Sequence, residues 1–452
     1  MKQYDAIVIG FGKGGKTLSG ALAGAGKRVA LIEKSDKMYG GTCINVGCIP
    51  SKSLVHSADY SAAQGGSFEE KAGRYAAAIA EKNRLTAMLR KKNFDKLDQN
   101  ANVTVINGTA AFTGPRTVSV NGEELEGGKI FINTGARPFL PPIPGLKESK
   151  RVYLSETLLD LEVLPRRLVI LGGGYIGMEF ASMYANFGSR VTVVQDGAVF
   201  LPREDREIAA AVLKSLENRG IRVLFSTKTT EIVDKADAVL LCADGPEGPV
   251  ELEADAILAA AGRRPNVEGL GLDKAGVALT TRGAVQAGED LRTTNPDVYA
   301  MGDVVGGLQF TYVSLDDFRV VKSQLLGDGS RTTANRGAVP YSVFLDPPFS
   351  RVGLSEQEAR GQGCEVRIAK LPAAAIPKAQ VLQKTDGLLK AVIDAKTGKI
   401  LGAHLFCAES HEIINLLKLA MDAGIPYTVL RDGIYTHPTM AEALNDLFAA
   451  VE

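Results

Sequence analysis

Short apolar runs alternate with stretches of helical periodicity through the first three hundred residues. The segments 6–9, 29–32, 103–106, 130–133, 168–171, 191–194, 222–225, 256–259 and 298–300 read as strands, and strands interleaved with helices predict an α/β fold. Residues 68–94 are rich in helix formers and predict one long, partly exposed helix. Regular structure stops at 138–145, where FLPPIPG falls, and again in the polar stretch 331–340. Beyond that second seam the pattern changes. Strands are expected at 341–352, 365–371, 387–394 and 400–406, with helices at 410–423 and 440–450, which makes the tail α+β.

Composition narrows the class. The chain has 452 residues, 45% of them apolar and 23% charged, enough for several cores and a soft prior of about three domains. Lys plus Arg equals Asp plus Glu at 52 each, so no polyanion-binding surface and no nucleic-acid partner are expected. No apolar run reaches the roughly 18 residues of a membrane span, and a strand beginning at Asp5 leaves no room for a signal peptide. A cytoplasmic protein with no membrane partner is expected. Glycine is high, 49 of 452, so many turns or close backbone approaches must exist.

Two glycine motifs account for part of that excess. Gly10, Gly12 and Gly15 form G-x-G-x-x-G between a strand and a helical stretch, and Glu33 ends the next strand. The first glycine permits the tight turn, the second lets backbone approach a diphosphate, and the third lets helix and strand pack. The helix N-terminus then faces the diphosphate with free N–H groups, and Glu33 can accept from a ribose diol. The motif recurs as Gly172, Gly174 and Gly177 before a helix at 178–187, with Gln195 and Asp196 where Glu33 stood. Two such folds imply two different dinucleotides. Asp196 would repel a 2′-phosphate and favours NADH over NADPH, although Gln195 lacks the usual acidic grip on the diol.

Of the five cysteines, Cys242, Cys364 and Cys407 stand alone and read as core thiols. Cys43 and Cys48 lie in GGTCINVGCIPSK. A spacing of five along a regular helix gives a rise of about 7.5 Å with poorly aligned side chains. A disulfide here would have to distort the backbone, for which Gly40, Gly41 and Gly47 supply freedom, and such a bridge is easily reduced. Half a zinc site and two unpaired thiols are the other readings. Zinc needs two more ligands, and His56, His404, His411 and His437 form no knuckle. No metal site is expected.

The cysteine segment behind a Gly-rich strand resembles the class I flavoprotein disulfide reductases, which include dihydrolipoamide dehydrogenase, glutathione reductase and mercuric reductase. Four further motifs follow in the family's order across the whole chain. INTGA at 132–136 and AAGRRPN at 260–266 resemble its two crossover turns, YAMGD at 299–303 its second flavin motif, and THPTMAE at 436–442 its C-terminal signature. The resemblance implies two Rossmann-like dinucleotide-binding domains plus a C-terminal α+β dimerisation domain. Residues 1–145 and 266–335 would bind FAD, 146–265 NADH or NADPH, and 336–452 would dimerise.

By position, the resemblance implies that FAD rests on Gly10, Gly12, Gly15, Glu33, Thr42, Lys52, Ala110, Thr134, Gly135, Asp303 and Thr311. The nicotinamide nucleotide would rest on Gly172, Gly174, Tyr175, Gly177, Gln195 and Gly262. Tyr175 matches the tyrosine that covers the flavin, and Lys52 with Glu179 match a pair beside it. Hydride would pass to FAD and electrons on to a Cys43–Cys48 disulfide. Cys48 would lie nearer the flavin and Cys43 outward. A thiol of ordinary pKa, about 8.5, needs a base, and His437 oriented by Glu442 is the candidate. In the family that histidine comes from the partner subunit, so the active site would require a homodimer.

Finer features bear on the oxidant. QFTYV at 309–313 looks like the mercuric reductases, but the last eight residues carry no thiol, and neither do they supply the redox pair of large thioredoxin reductases. The first helical stretch, 16–26, lacks the arginine that glutathione reductases use. LPREDR at 201–206, GGLQFTYVSLDD at 306–317 and AAIPKA at 374–379 resemble a bacterial reactive-chlorine-resistance subgroup. That likeness implies reduction of a small-molecule oxidant, hypothiocyanous acid or Cu(II). Dihydrolipoamide oxidation and a mercuric-reductase-like activity are alternatives within enzymes; a flavin-bearing redox sensor is the alternative outside them.

Overall fold

A computed structural model describes residues 1–451. Its first sheet, of seven strands, contains the parallel run Val103–Asn107, Val29–Glu33, Lys2–Ile9 and Glu123–Ile132. The ten-residue strand Glu123–Ile132 changes partners along its length. Its start pairs antiparallel with Thr117–Val120, its end parallel with Val298–Ala300. Gly127 and Gly128 lie at that change of partner, where a Cβ on Gly128 would meet the Asp5 carbonyl at 2.9 Å.

The second sheet is wholly parallel, in the order Arg222–Leu224, Arg190–Val194, Arg167–Leu171, Ala256–Ala259, Val152–Leu154. It repeats the first hydrogen bond for hydrogen bond at the glycine turn. Gly10 N–H donates to Ile32 O at 2.8 Å, and Gly172 N–H to Val194 O at 2.9 Å. In each frame the third glycine is forced. A Cβ on Gly15 would collide with the Gly10 carbonyl, and one on Gly177 with the Gly172 carbonyl.

The tail is a five-stranded antiparallel sheet, Tyr341–Val343, Phe349–Gly353, Ile400–Phe406, Leu388–Asp394 and Val366–Pro372, backed by helices Ser410–Asp422 and Ala443–Ala449. The single strand expected at 341–352 is therefore two strands. Pro347 and Pro348 between them lack the N–H groups that a ladder needs. The helix expected at 440–450 starts only at Ala443, and the long helix runs further than its pattern indicated, Phe68–Asp98. Ser67 and Glu70 close a capping box at its start.

One apolar core crosses the sheets. Leu54 and Ala58 of helix Cys48–Gln64, Tyr75 and Ile79 of the long helix, Met178 and Ala181 of helix Tyr175–Phe187, and Phe349 and Phe406 of the tail sheet all belong to it. Full burial of a side chain such as Leu54 contributes about 2 kcal/mol. This packing fixes the cysteine-bearing helix against the helix of the second glycine frame.

Candidate active site

The chain between the two cysteines is not one helix. Thr42–Asn45 ends at Val46, and a new helix starts at Cys48. Gly47 holds the break, because a Cβ there would meet the Thr42 carbonyl at 2.9 Å. Gly41, at φ 79°, lies so close to Gly12 that a Cβ would sit 2.6 Å from its Cα. The glycines named in the sequence thus supply the distortion and bring the cysteine segment onto the first glycine motif.

The two thiols lie near each other, with the Cys43 thiol placed to favour a Cys48 anion. Donation from Cys43 to Cys48, assisted by the Thr311 hydroxyl at 3.7 Å and the charge of Lys52, lowers Cys48 to about 6 against the opposing effect of burial. The same bond, with burial, pushes the Cys43 thiol up. Within one chain Cys48 is exposed and Cys43 half-buried. Lys52 Nζ pairs with Glu179 Oε2 at 2.7 Å and lies 4.6 Å from the centre of the Phe344 ring. The Phe344 N–H donates to the other Glu179 oxygen at 2.9 Å. A cation is thereby held beside the thiolate, joining three segments far apart in sequence.

A cavity of about 450 Å³ opens next to Cys43. Its wall includes Gly10, Gly12, Glu33, Thr42 and Ala110, and on the far side Thr134, Gly135, Asp303 and Thr311. Gly15 stands behind the wall as a packing residue, and Gly262 opens the crossover strand Arg263–Pro265, away from it. Asn133, which the motif reading left without a role, is the hub. Its Oδ1 accepts from Gly15 N–H at 2.8 Å and its Nδ2 donates to Met301 O at 2.7 Å. Ser314 accepts from Gly14 N–H at 3.2 Å. The Gly12 and Lys13 amides, without partners among the described residues, are left at the cavity wall. Burial pushes the Glu33 carboxyl up, against the pull of the Phe11 and Ser35 amides, and burial likewise raises Asp303. The amides suit a diphosphate, and the two carboxyls suit sugar and polyol hydroxyls, which is the set of polar groups FAD requires.

Tyr175 is the first residue of its helix, one turn before Glu179 on the same face. Its hydroxyl donates to Glu204, a carboxylate with no exposed side-chain surface, which also accepts from Tyr341 at 2.7 Å and lies 3.5 Å from Arg351. Tyr341 packs against Tyr175 and stacks on Phe310, and Phe310 on Tyr312. This aromatic column runs from the second glycine frame to the segment that carries Thr311. Glu204 lay in a quoted stretch, LPREDR, but nothing local in sequence marked it as the carboxylate that holds Tyr175.

His437 and Glu442 come together as expected. His437 Nδ1 lies 2.8 Å from Glu442 Oε2, and Glu442 Oε1 accepts from Thr439 N–H at 3.1 Å. The hydrogen bond from His437, with that of the Thr439 amide, holds the Glu442 carboxyl below its usual range. His437 is largely exposed, and its Nε2 has no partner among the described residues.

Comparison with known proteins agrees with this geometry. Residues 4–317 match the pyridine nucleotide-disulphide oxidoreductase family and residues 339–448 its dimerisation domain. The chain is 48% identical to the probable pyridine nucleotide-disulfide oxidoreductase RclA of Escherichia coli (strain K12), covering 100% of both chains. It is 34% identical to a mercuric reductase of Staphylococcus aureus, over 98% of this chain and 81% of that one. Identity is again 34% to a dihydrolipoyl dehydrogenase of Thermus scotoductus, over 100% and 98%. A Cu(II) complex of the HOCl-induced flavoprotein disulfide reductase RclA from Escherichia coli superposes with a TM-score of 0.94 at 49% identity over 100% of both chains. No helix among the described residues is long and apolar enough to cross a membrane. With two glycine frames, a cysteine pair and a dimerisation domain in one order, this chain belongs to the pyridine nucleotide-disulphide oxidoreductase family, whose members use FAD and NAD(P)H.

Proposed function

We propose that this enzyme uses a reduced nicotinamide nucleotide to reduce a small oxidant at Cys43 and Cys48, and that hypothiocyanous acid is its acceptor. The observation that carries the reading is the setting of Cys48, whose sulfur lies beside Cys43, 3.7 Å from the Thr311 hydroxyl and near the Lys52–Glu179 pair, surroundings that pull its thiol toward the anion. A bound FAD supplies what the side chains lack, transfer of two electrons from a nicotinamide to a disulfide. The protein supplies the thiols, their charge states and their surroundings.

The two thiols differ as a division of labour requires. Its surroundings push the Cys43 thiol up, so it needs a base, whereas those of Cys48, Lys52 among them, favour its anion. The partner subunit's His437, with Glu442 on its other ring nitrogen, is the base that fits, which makes the active site a property of the homodimer. Attack by Cys43 on the sulfur of hypothiocyanous acid forms a sulfenyl thiocyanate, and the departing oxygen leaves as water with the thiol proton. The Cys48 thiolate then displaces thiocyanate and closes the disulfide. Two electrons and the hydrogen of the nicotinamide restore one thiol and one thiolate, so the cycle balances.

Identity of 48% along the full length of the RclA relative, and the HOCl-induced character of the Escherichia coli protein, support an acceptor from oxidative stress. The Cu(II) complex of that neighbour favours Cu(II) as a second acceptor. The test is consumption of NADH and NADPH with hypothiocyanous acid, Cu(II) or lipoamide. Sustained turnover with the first, lost in Cys43→Ser, is expected. Turnover with lipoamide alone would make the protein a dihydrolipoamide dehydrogenase, and a single turnover with every acceptor would make it a redox sensor.

A further inference from the structure

One side-chain amide at the second glycine frame is held in a single orientation. Gln195 follows strand Arg190–Val194, where the acceptor for a ribose diol belongs. Its backbone is pinned on both sides, N–H to Leu224 O at 2.9 Å and carbonyl from Thr227 N–H at 3.0 Å. Its Nε2 donates to Gly197 O at 2.9 Å and to Val199 O at 2.8 Å. An amide nitrogen has two hydrogens, and both are taken. The opposite orientation would set Oε1 against two carbonyl oxygens, so the turn of the amide is fixed by chemistry.

With Nε2 tied to its own loop, Oε1 faces the glycine motif. A Cβ built on Gly173 would collide with that oxygen. What stands next to the motif is an acceptor with no donor attached. A ribose 2′-hydroxyl can donate to it. A 2′-phosphate near neutral pH offers mainly acceptor oxygens and negative charge, so it meets Oε1 with no hydrogen to share. Asp196, exposed beside Gln195, adds like-charge repulsion. Residues 195–202 include no Lys or Arg, and the first cation beyond them is Arg203. The guanidinium of Arg206 is spent on the carbonyls of Phe200, Leu201 and Glu204.

We propose that Gln195, locked by Gly197 and Val199, makes the enzyme select NADH over NADPH through its acceptor-only face, with Asp196 reinforcing the choice. The inference rests on reading the second frame as the nicotinamide-nucleotide site. It differs from an acidic grip on the diol in that a neutral residue does the selecting by orientation.

The test is calorimetric titration of the FAD-loaded enzyme with ADP-ribose and with its 2′-phosphate, alongside kcat/KM for NADH and NADPH. ADP-ribose is expected to bind at least about tenfold more tightly. Gln195→Ala should shrink that ratio by weakening ADP-ribose, and Asp196→Arg should shrink it by tightening the phosphorylated ligand. The second variant leaves the Gln195 lock in place, so the test survives a Gln195 variant that fails to fold. Equal or tighter binding of the 2′-phosphate by the wild type would overturn the selection while leaving the nucleotide site standing. Binding of neither ligand, with no oxidation of either nucleotide, would remove the site and the inference together.

Discussion

At the scale of single residues, the Cys48 thiolate owes its charge to neighbours that can be removed one at a time. In the reduced protein, one thiolate should titrate with a midpoint near 6, followed by its ultraviolet absorbance. Below that pH the anion is protonated, and its population falls about tenfold per unit. Cys48→Ser should abolish the titration, and Cys43→Ala should move it upward, since the largest lowering contribution is the Cys43 donor. A protein with no thiolate below pH 8 would contradict this. His437→Gln is expected to slow oxidant reduction by about 10²–10⁴-fold, the usual range for loss of a general acid–base group, while flavin reduction by the nicotinamide keeps its rate. Stopped-flow measurement of the two half-reactions separates them. The legible residues at this scale were those whose chemistry is written locally. Cys43, Cys48, His437 and Glu442 sit within short segments that carry their own partners. Asn133, Glu204 and Tyr341 were not legible as site residues, because their partners come from segments as many as 181 residues away.

Among elements, the two glycine frames are near copies, so equivalent substitutions should separate their roles. Gly15→Ala and Gly177→Ala each put a methyl against the carbonyl of the first glycine in the same motif. The first should yield protein without the visible absorbance of flavin. The second should keep the flavin and raise KM for the nicotinamide nucleotide at least tenfold, read from a saturation curve. Loss of flavin in both would mean that the frames do not act separately. The parallel strands were legible because each is a continuous apolar run, as in Ile7–Ile9 and Leu168–Leu171. The antiparallel strands Lys228–Asp234, Val239–Gly245 and Gly248–Ala254 went unread, since charged and glycine positions interrupt their pattern. Helix Arg206–Asn218 was missed although Asp205 caps it.

For the whole molecule, two features reach across the units. Lys390 of the tail sheet is almost wholly buried and faces three carboxylates, Asp205 at 2.9 Å, Glu207 at 2.6 Å and Glu356 at 2.8 Å. Lys390→Met would strand those charges and should destabilise the fold by about 3–5 kcal/mol, measured by denaturant unfolding. Unchanged stability would mean that water, not Lys390, compensates them. Sharing of the active site is tested by co-producing Cys43→Ser and His437→Gln chains. Each variant alone should be nearly inactive, whereas mixed dimers hold one intact site and should recover about a quarter to a half of wild-type turnover. Recovery no greater than the sum of the parents would put His437 outside the partner's site.

The apolar core that gathers Leu54, Tyr75, Met178, Phe349 and Phe406 carries a further implication for anyone cutting the gene. Five widely separated stretches of chain lose their shelter from water together, so no excised fragment ending before Phe349 keeps that interior sealed. Heating should accordingly produce a single calorimetric peak rather than staged melting, and the nucleotide-binding halves expressed without the tail should be recovered as insoluble material.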